Sequence, residues 1–173
     1  MTNLVILLDG PKGSGKSTLC SLLREHLSHA DFLSLDEERK RLASAVVNNP
    51  EAFEQLIKKA RLALHQGKNV VIDSGVTEER LHLLEMLSGE CDAHLYKFSL
   101  IAPRDVLLSR VQARDAERGR GFDRDRFDFT LAAQQSKSFE GYITLDSEKL
   151  SPQQMLEIVL SVLQEQKHPD QHA

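Results

Sequence analysis

Nine consecutive residues near the start of the chain, Gly10-Pro11-Lys12-Gly13-Ser14-Gly15-Lys16-Ser17-Thr18, constrain it more than anything else in the sequence. They satisfy the pattern G-x-x-x-x-G-K-[ST] in full. The unbroken apolar run Leu4–Leu8 stands before them, and Leu19, Leu22, Leu23 and Leu27 recur at helical spacing after them. A strand, a glycine-rich turn and a helix in that order aim backbone N–H groups and a helix N-terminus at one point, which attracts phosphate. The glycines let the backbone wrap the phosphate without a side-chain clash. Lys16 is expected to reach the β- and γ-phosphates of a triphosphate, and the Ser17 hydroxyl to ligate Mg²⁺. Lys12 reads equally as a phosphate contact and as a solvated loop lysine.

The rest of the chain alternates strand-length apolar runs with helical periods. Phe32–Leu35, Val70–Ile72, His94–Ile101 and Tyr142–Leu145 read as four more strands. Helices are expected over Glu37–Val47 and Glu51–Gln66, separated at Asn48-Asn49-Pro50 because proline disfavours helix in the residue before it. Gly67 reads as a C-cap. Thr77 caps a helix to Leu87, with Gly89 closing it, and two more helices are expected over Pro103–Glu117 and Arg126–Phe139. Ser151-Pro152-Gln153-Gln154 has the form of a capping box opening a last helix to about Gln166. Such alternation implies an α/β fold, a five-stranded parallel sheet with helices on both faces. One domain is expected over residues 1–166, with a frayed polar tail at 167–173. Ligands in such sheets gather at the carboxyl ends of the strands.

Those ends carry the remaining candidates. Asp36, after the second strand, can accept the proton of an attacking hydroxyl, and Arg39, one turn on, can hold an anionic group of the acceptor; plain helix capping is the alternative for Asp36. Asp73 ends Val70-Val71-Ile72 as a carboxylate able to hold Mg²⁺ through water or to bind the acceptor, with loop capping as its alternative. Arginine placement adds a third signal. Seven of twelve arginines fall between Arg104 and Arg126, a window without lysine. Guanidinium forks bind phosphate bidentately and ammonium groups do not. Arg110, Arg114 and Arg118 share a helix face, and Gly119 and Gly121 provide a flexible stretch, so a mobile arginine-rich lid is expected at about 114–126. The alternative pairs these arginines with Asp105, Asp115, Glu117, Asp123 and Asp125 as a salt-bridged surface.

Charge and composition exclude other classes. A net charge of −4 argues against a polycationic nucleic-acid binder, though not against a local basic groove. No apolar run approaches the roughly 20 residues a membrane helix needs. No secretory leader is apparent, and Cys20 and Cys91 form no CxxC pair, so a cytoplasmic chain with reduced thiols is expected. No N-K-x-D guanine-reading tetrapeptide occurs.

Together these residues resemble the small P-loop kinases of the zeta-toxin and polynucleotide 5′-kinase type, an AAA-like kinase group, with adenylylsulfate and gluconate kinases as wider relatives. The features that match are the loop Gly10–Ser17, Asp36 with Arg39, Asp73 followed by Glu79-Arg80, and Arg110 with Arg114. The resemblance implies a three-layer P-loop NTPase fold, Asp36 as general base, Arg39 on the acceptor, and Arg110 and Arg114 on the donor phosphates, with Arg114 acting in catalysis. It implies ATP and Mg²⁺ as donor and cofactor, and transfer of the γ-phosphoryl to a hydroxyl of a small or nucleoside-like acceptor. A polynucleotide 5′-hydroxyl is an alternative acceptor. The run Leu8–Thr18 resembles the thymidylate-kinase loop, which keeps a nucleoside monophosphate open. A nucleotide-binding switch that transfers nothing is the alternative from another class.

Overall fold

Val5 and Leu7 turn to one side of the first strand and Ile6 and Leu8 to the other, and all four are fully buried. A strand apolar on both faces needs cover on both faces, and that demand builds the fold. The computed structural model describes residues 2–42, 50–136 and 138–165. Strand β1 (Asn3–Asp9) lies at the centre of a five-stranded sheet with β2 (Ala30–Ser34), β3 (Asn69–Asp73), β4 (Ala93–Ile101) and β5 (Tyr142–Asp146), in the order β2-β3-β1-β4-β5. Every pairing is parallel, and Leu8 stands level with Asp73 on one side and Phe98 on the other.

One face of the sheet packs Val5, Leu7, Val70 and Ile72 against α3 (Pro50–His65) and α4 (Glu78–Glu90) through Phe53, Leu56, Leu84 and Leu87. The other packs Ile6, Leu8, Val71, Phe98 and Leu145 against α1 (Lys16–His26) and α7 (Pro152–Glu165) through Leu19, Leu23, Leu156 and Val159. The arrangement is the three-layer α/β fold of the P-loop proteins. The short helix α2 (Leu35–Arg41) follows β2, and its buried Glu38 meets Lys59 of α3 at 2.5 Å. Helices α5 (Arg104–Glu117) and α6 (Arg124–Gln135) share a separate small core of Leu107, Val111, Phe127 and Leu131.

Several element boundaries differ from the expected ones. Strand β2 runs from Ala30 to Ser34, and α2 begins at Leu35, two residues early. Ser34 takes the capping position with extended backbone, which places Asp36 inside the first turn beside Glu37 and Glu38, where three acids complement the helix N-terminus. Asp36 is therefore not the helix cap. The expected end at Val47 and the Asn48-Asn49 break lie outside the described residues, as does the tail. Pro50 is the first residue of α3, where its missing N–H costs nothing. Gly89 is inside α4, which continues to Glu90. Helix α6 starts at Arg124 because the Asp123 side chain accepts from the Arg126 N–H at 2.9 Å. Gly119, with φ +63°, ends α5 in a Schellman motif, donating to Ala116 while Arg120 donates to Asp115.

Candidate active site

The loop between β1 and α1 is shaped by what its glycines allow. Gly13 has φ +84°, and a Cβ there would lie 2.9 Å from the Leu107 carbonyl oxygen, so helix α5 packs against the loop only because this residue has no side chain. Lys16, the first residue of α1, bends back and donates to the carbonyls of Gly10 (2.8 Å) and Pro11 (3.0 Å). Burial holds its ammonium below the ordinary value, against the opposing charges of Asp73, Asp9 and Asp36. Beside it, Ser17 Oγ donates to Asp73 Oδ2 at 2.7 Å. Burial raises the Asp73 carboxyl, while Lys16 and the Ser17 hydroxyl pull it down. One hydroxyl and one carboxylate are a sparse set, which suits Mg²⁺, an ion that keeps several waters and draws its other ligands from substrate phosphates. Among the described residues no group of three acidic, histidine or cysteine side chains offers a closed metal cage.

Three adjoining cavities meet at this loop. A loop cavity of about 710 Å³ runs along Lys12–Thr18 and is bordered by Asp73, Arg110, Arg114, Ser147 and Met155. A second cavity, of about 520 Å³, lies beneath α5 and α6, with Arg114, Arg118, Arg120 and Arg126 on its wall. A strand-end cavity of about 180 Å³ is bordered by Asp73, Gly75, Arg39, Arg80, Phe129 and Gln134. Lys12 and Asp36 border all three. The Asp36 side chain is 71% exposed and its Oδ1 accepts from Arg39 at 3.0 Å, whereas Arg39 is 18% exposed. The carboxylate is thus open to a ligand while the guanidinium behind it is fixed. Burial, then the Arg126 charge, lowers Lys12 below the ordinary lysine value, so Lys12 shares the field of the site.

The arginines divide. Arg110, Arg114 and Arg118 all border the loop cavity, as their common helix face requires. Arg110 is already engaged: it donates to Gly13 O (3.3 Å), Ser147 Oγ (2.9 Å) and Ser147 O (2.7 Å), tying the loop to the segment after β5. Arg114 makes one long contact to Asp115 at 3.4 Å, and its buried Nε has no hydrogen-bond partner among the described residues. Arg104 pairs on the surface with Asp128 at 2.6 Å, an acid outside the five that the salt-bridged alternative named.

Sequence reasoning missed Asp9. Its carboxylate is fully buried and accepts from Gly10 N–H (2.7 Å), Val76 N–H (3.3 Å), Gln134 Nε2 (3.0 Å) and Tyr142 Oη (3.1 Å). It joins the phosphate loop, the turn after β3, helix α6 and strand β5. The one available signal was an acid closing an otherwise apolar strand. Gln134 was missed as well, and Gly75 is its counterpart: a Cβ there would meet Gln134 Nε2 at 2.7 Å.

A family profile described as an AAA domain matches residues 5–141. An adenylate kinase of Bifidobacterium longum (strain NCC 2705) is 31% identical over 134 residues, 68% of this chain and 72% of that protein. A protein of Arabidopsis thaliana, transcription factor bHLH140, is 32% identical over 120 residues. That match takes in 67% of this chain but only 12% of the plant protein. Among solved structures, an unliganded sugar kinase from Janibacter sp. HTCC2649 superposes with a TM-score of 0.71 at 17% identity, covering 95% of each chain.

Proposed function

The chain belongs to the AAA domain family and is built as a P-loop kinase, and from that premise we propose that it moves the γ-phosphoryl of ATP to a hydroxyl of a small or nucleoside-like acceptor. The observation that carries this reading is Asp36, an exposed carboxylate on the shared rim of the loop and strand-end cavities. The loop cavity takes the donor. The backbone of residues 10–18 cradles its phosphates, Lys16 leaves its loop carbonyls for the β- and γ-oxygens, and Arg114 adds its unspent donors. Arg110 holds the loop against Ser147 and reaches phosphate only by giving up those bonds.

Ser17 and Asp73 would hold Mg²⁺, which when bound supplies positive charge against that developing on the phosphates. Asp36 takes the proton of the attacking hydroxyl, and Arg39 keeps its carboxylate turned toward the acceptor. The lid arginines exclude water from the transfer. A cytoplasmic setting fits this reading, and among the described residues no helix is long and apolar enough to cross a membrane.

The similarity to an adenylate kinase favours a second reading, a nucleoside monophosphate as acceptor. Its phosphate is already ionised and needs no base, so Asp36 separates the two. With γ-labelled ATP and a panel of nucleosides, nucleotides, sugars and 5′-hydroxyl oligonucleotides, Lys16→Ala should abolish transfer. Asp36→Asn should lower kcat by about 10²-fold or more with ATP affinity unchanged. Full turnover by Asp36→Asn supports the monophosphate reading, and full turnover by Lys16→Ala rejects both.

A further inference from the structure

Lys12 stands where the three cavities meet, and Asp36 is the other residue that borders all of them. A lysine that served only to solvate the loop would be exposed, but Lys12 is half-buried. Among the described residues its ammonium makes no hydrogen bond or ion pair. The two carboxylates whose charge reaches it, Asp36 and Asp115, are each held by an arginine, Arg39 at 3.0 Å and Arg114 at 3.4 Å. Burial, then Arg126 and Arg114, press the other way. A partly desolvated cation short of counter-charge is unfavourable until an anion joins it. The neighbouring cations differ. Lys16 donates to the carbonyls of Gly10 and Pro11, and Arg110 to Gly13 and Ser147. With the donor in the loop cavity and the acceptor in the strand-end cavity, whatever passes from one to the other passes Lys12.

We infer that Lys12 is a catalytic residue whose ammonium meets the γ-phosphoryl between donor and acceptor, while Lys16 stays with the donor. This rests on the transfer reading of the site. In the transfer the bond from the γ-phosphorus to the β,γ-bridging oxygen breaks and its electron pair leaves with ADP. The acceptor oxygen bonds to the phosphorus, and its proton goes to Asp36. Lys12 forms no covalent bond and keeps its protons. In a loose transition state negative charge spreads over the three equatorial oxygens of the moving group. A cation at the junction meets that charge better than it meets bound ATP, so it raises kcat rather than lowering KM. A compact ammonium on a flexible stem can follow the group, which a planar guanidinium fork does less well.

Aluminium fluoride tests this without an acceptor, because with ADP it forms a planar anion in the place of the moving phosphoryl. ADP affinity of the full chain is measured with Mg²⁺ by calorimetry, with and without aluminium fluoride. Fluoride should tighten ADP binding in the parent by about tenfold or more. Lys12→Ala should lose most of that tightening, with affinity for ADP alone and for a non-hydrolysable ATP analogue unchanged, and Lys12→Arg should restore it in part. Full tightening in Lys12→Ala overturns the role. So does an equal loss of ATP-analogue affinity, since Lys12 would then be a contact of the bound donor only. A parent that gains nothing from fluoride overturns it too, because the junction then holds no such anion. Failure of the transfer reading shows separately, in the labelled-ATP assay of Lys16→Ala.

Discussion

Single side chains in this site are held in states that suit a ligand better than they suit the empty fold, and Asp73 shows it most clearly. Burial raises its carboxyl, and the nearby Lys16 charge and Ser17 hydroxyl only partly compensate. A carboxyl raised in the folded state binds its proton more tightly folded than unfolded. Its contribution to stability is therefore full below the unfolded value of 3.8 and is lost as pH rises through the folded one. At neutral pH the ionised group is a net burden on the metal-free fold. Asp73→Asn should raise the urea midpoint at pH 7 in the presence of a chelator, and the gain should shrink toward pH 4. It should also remove the stabilisation that Mg²⁺ with nucleotide confers. A midpoint that does not rise at pH 7 would show that the Lys16 and Ser17 contacts outweigh burial. Asp9 is the opposite case, a buried carboxylate with donors from four directions. Asp9→Ala strands these donors and should cost about 3 kcal/mol or more of unfolding free energy, read from urea denaturation.

Helix ends provide the next level, and there the local chemistry reads directly. Ser151 accepts from Gln154 N–H at 3.2 Å while Gln154 Oε1 accepts from Ser151 N–H at 2.9 Å, closing the box that opens α7. Ser151→Ala should lower stability by about 1 kcal/mol with the m-value unchanged, because α7 carries one wall of a sheet core. That box, the glycine cap at Gly67 and the phosphate loop were legible in sequence, since each is made by residues within a few positions of one another. The start of α2 was less so. Ser34 and Asp36 are both good caps, and the choice between them depends on Leu35 burying into the core beside Phe53 and Leu56. Sequence pattern put Arg110 and Arg114 on one helix face, but not the difference between them. That difference lies in Ser147, which is 37 residues from Arg110. Asp9 was illegible for the same reason, as its partners Val76, Gln134 and Tyr142 are 67, 125 and 133 residues away.

For the whole molecule, the separate core of α5 and α6 matters more than any one contact. Leu107, Val111, Phe127 and Leu131 pack among themselves rather than into either face of the sheet. The pair is tied to the rest by the Arg110 bonds to Gly13 and Ser147 and by the Gln134 bond to Asp9. A unit with its own core and a few polar ties can swing as a body, and its swing would carry Arg114, Arg118, Arg120 and Arg126 over the loop. The ties end on the loop, on the segment after β5 and on Asp9 at the end of β1, so a filled loop should favour the closed position. Limited trypsin digestion reads this directly, because Arg118, Arg120 and Arg124 are exposed around the turn between the two helices. The first cut should fall there. Mg²⁺ with a non-hydrolysable ATP analogue should slow it by about fivefold or more, and Gln134→Ala should hasten it in the ligand-free chain. Cleavage at one rate with and without the analogue would mean that α5 and α6 are a fixed wall and not a lid. The arginines would then have to act from where they already stand.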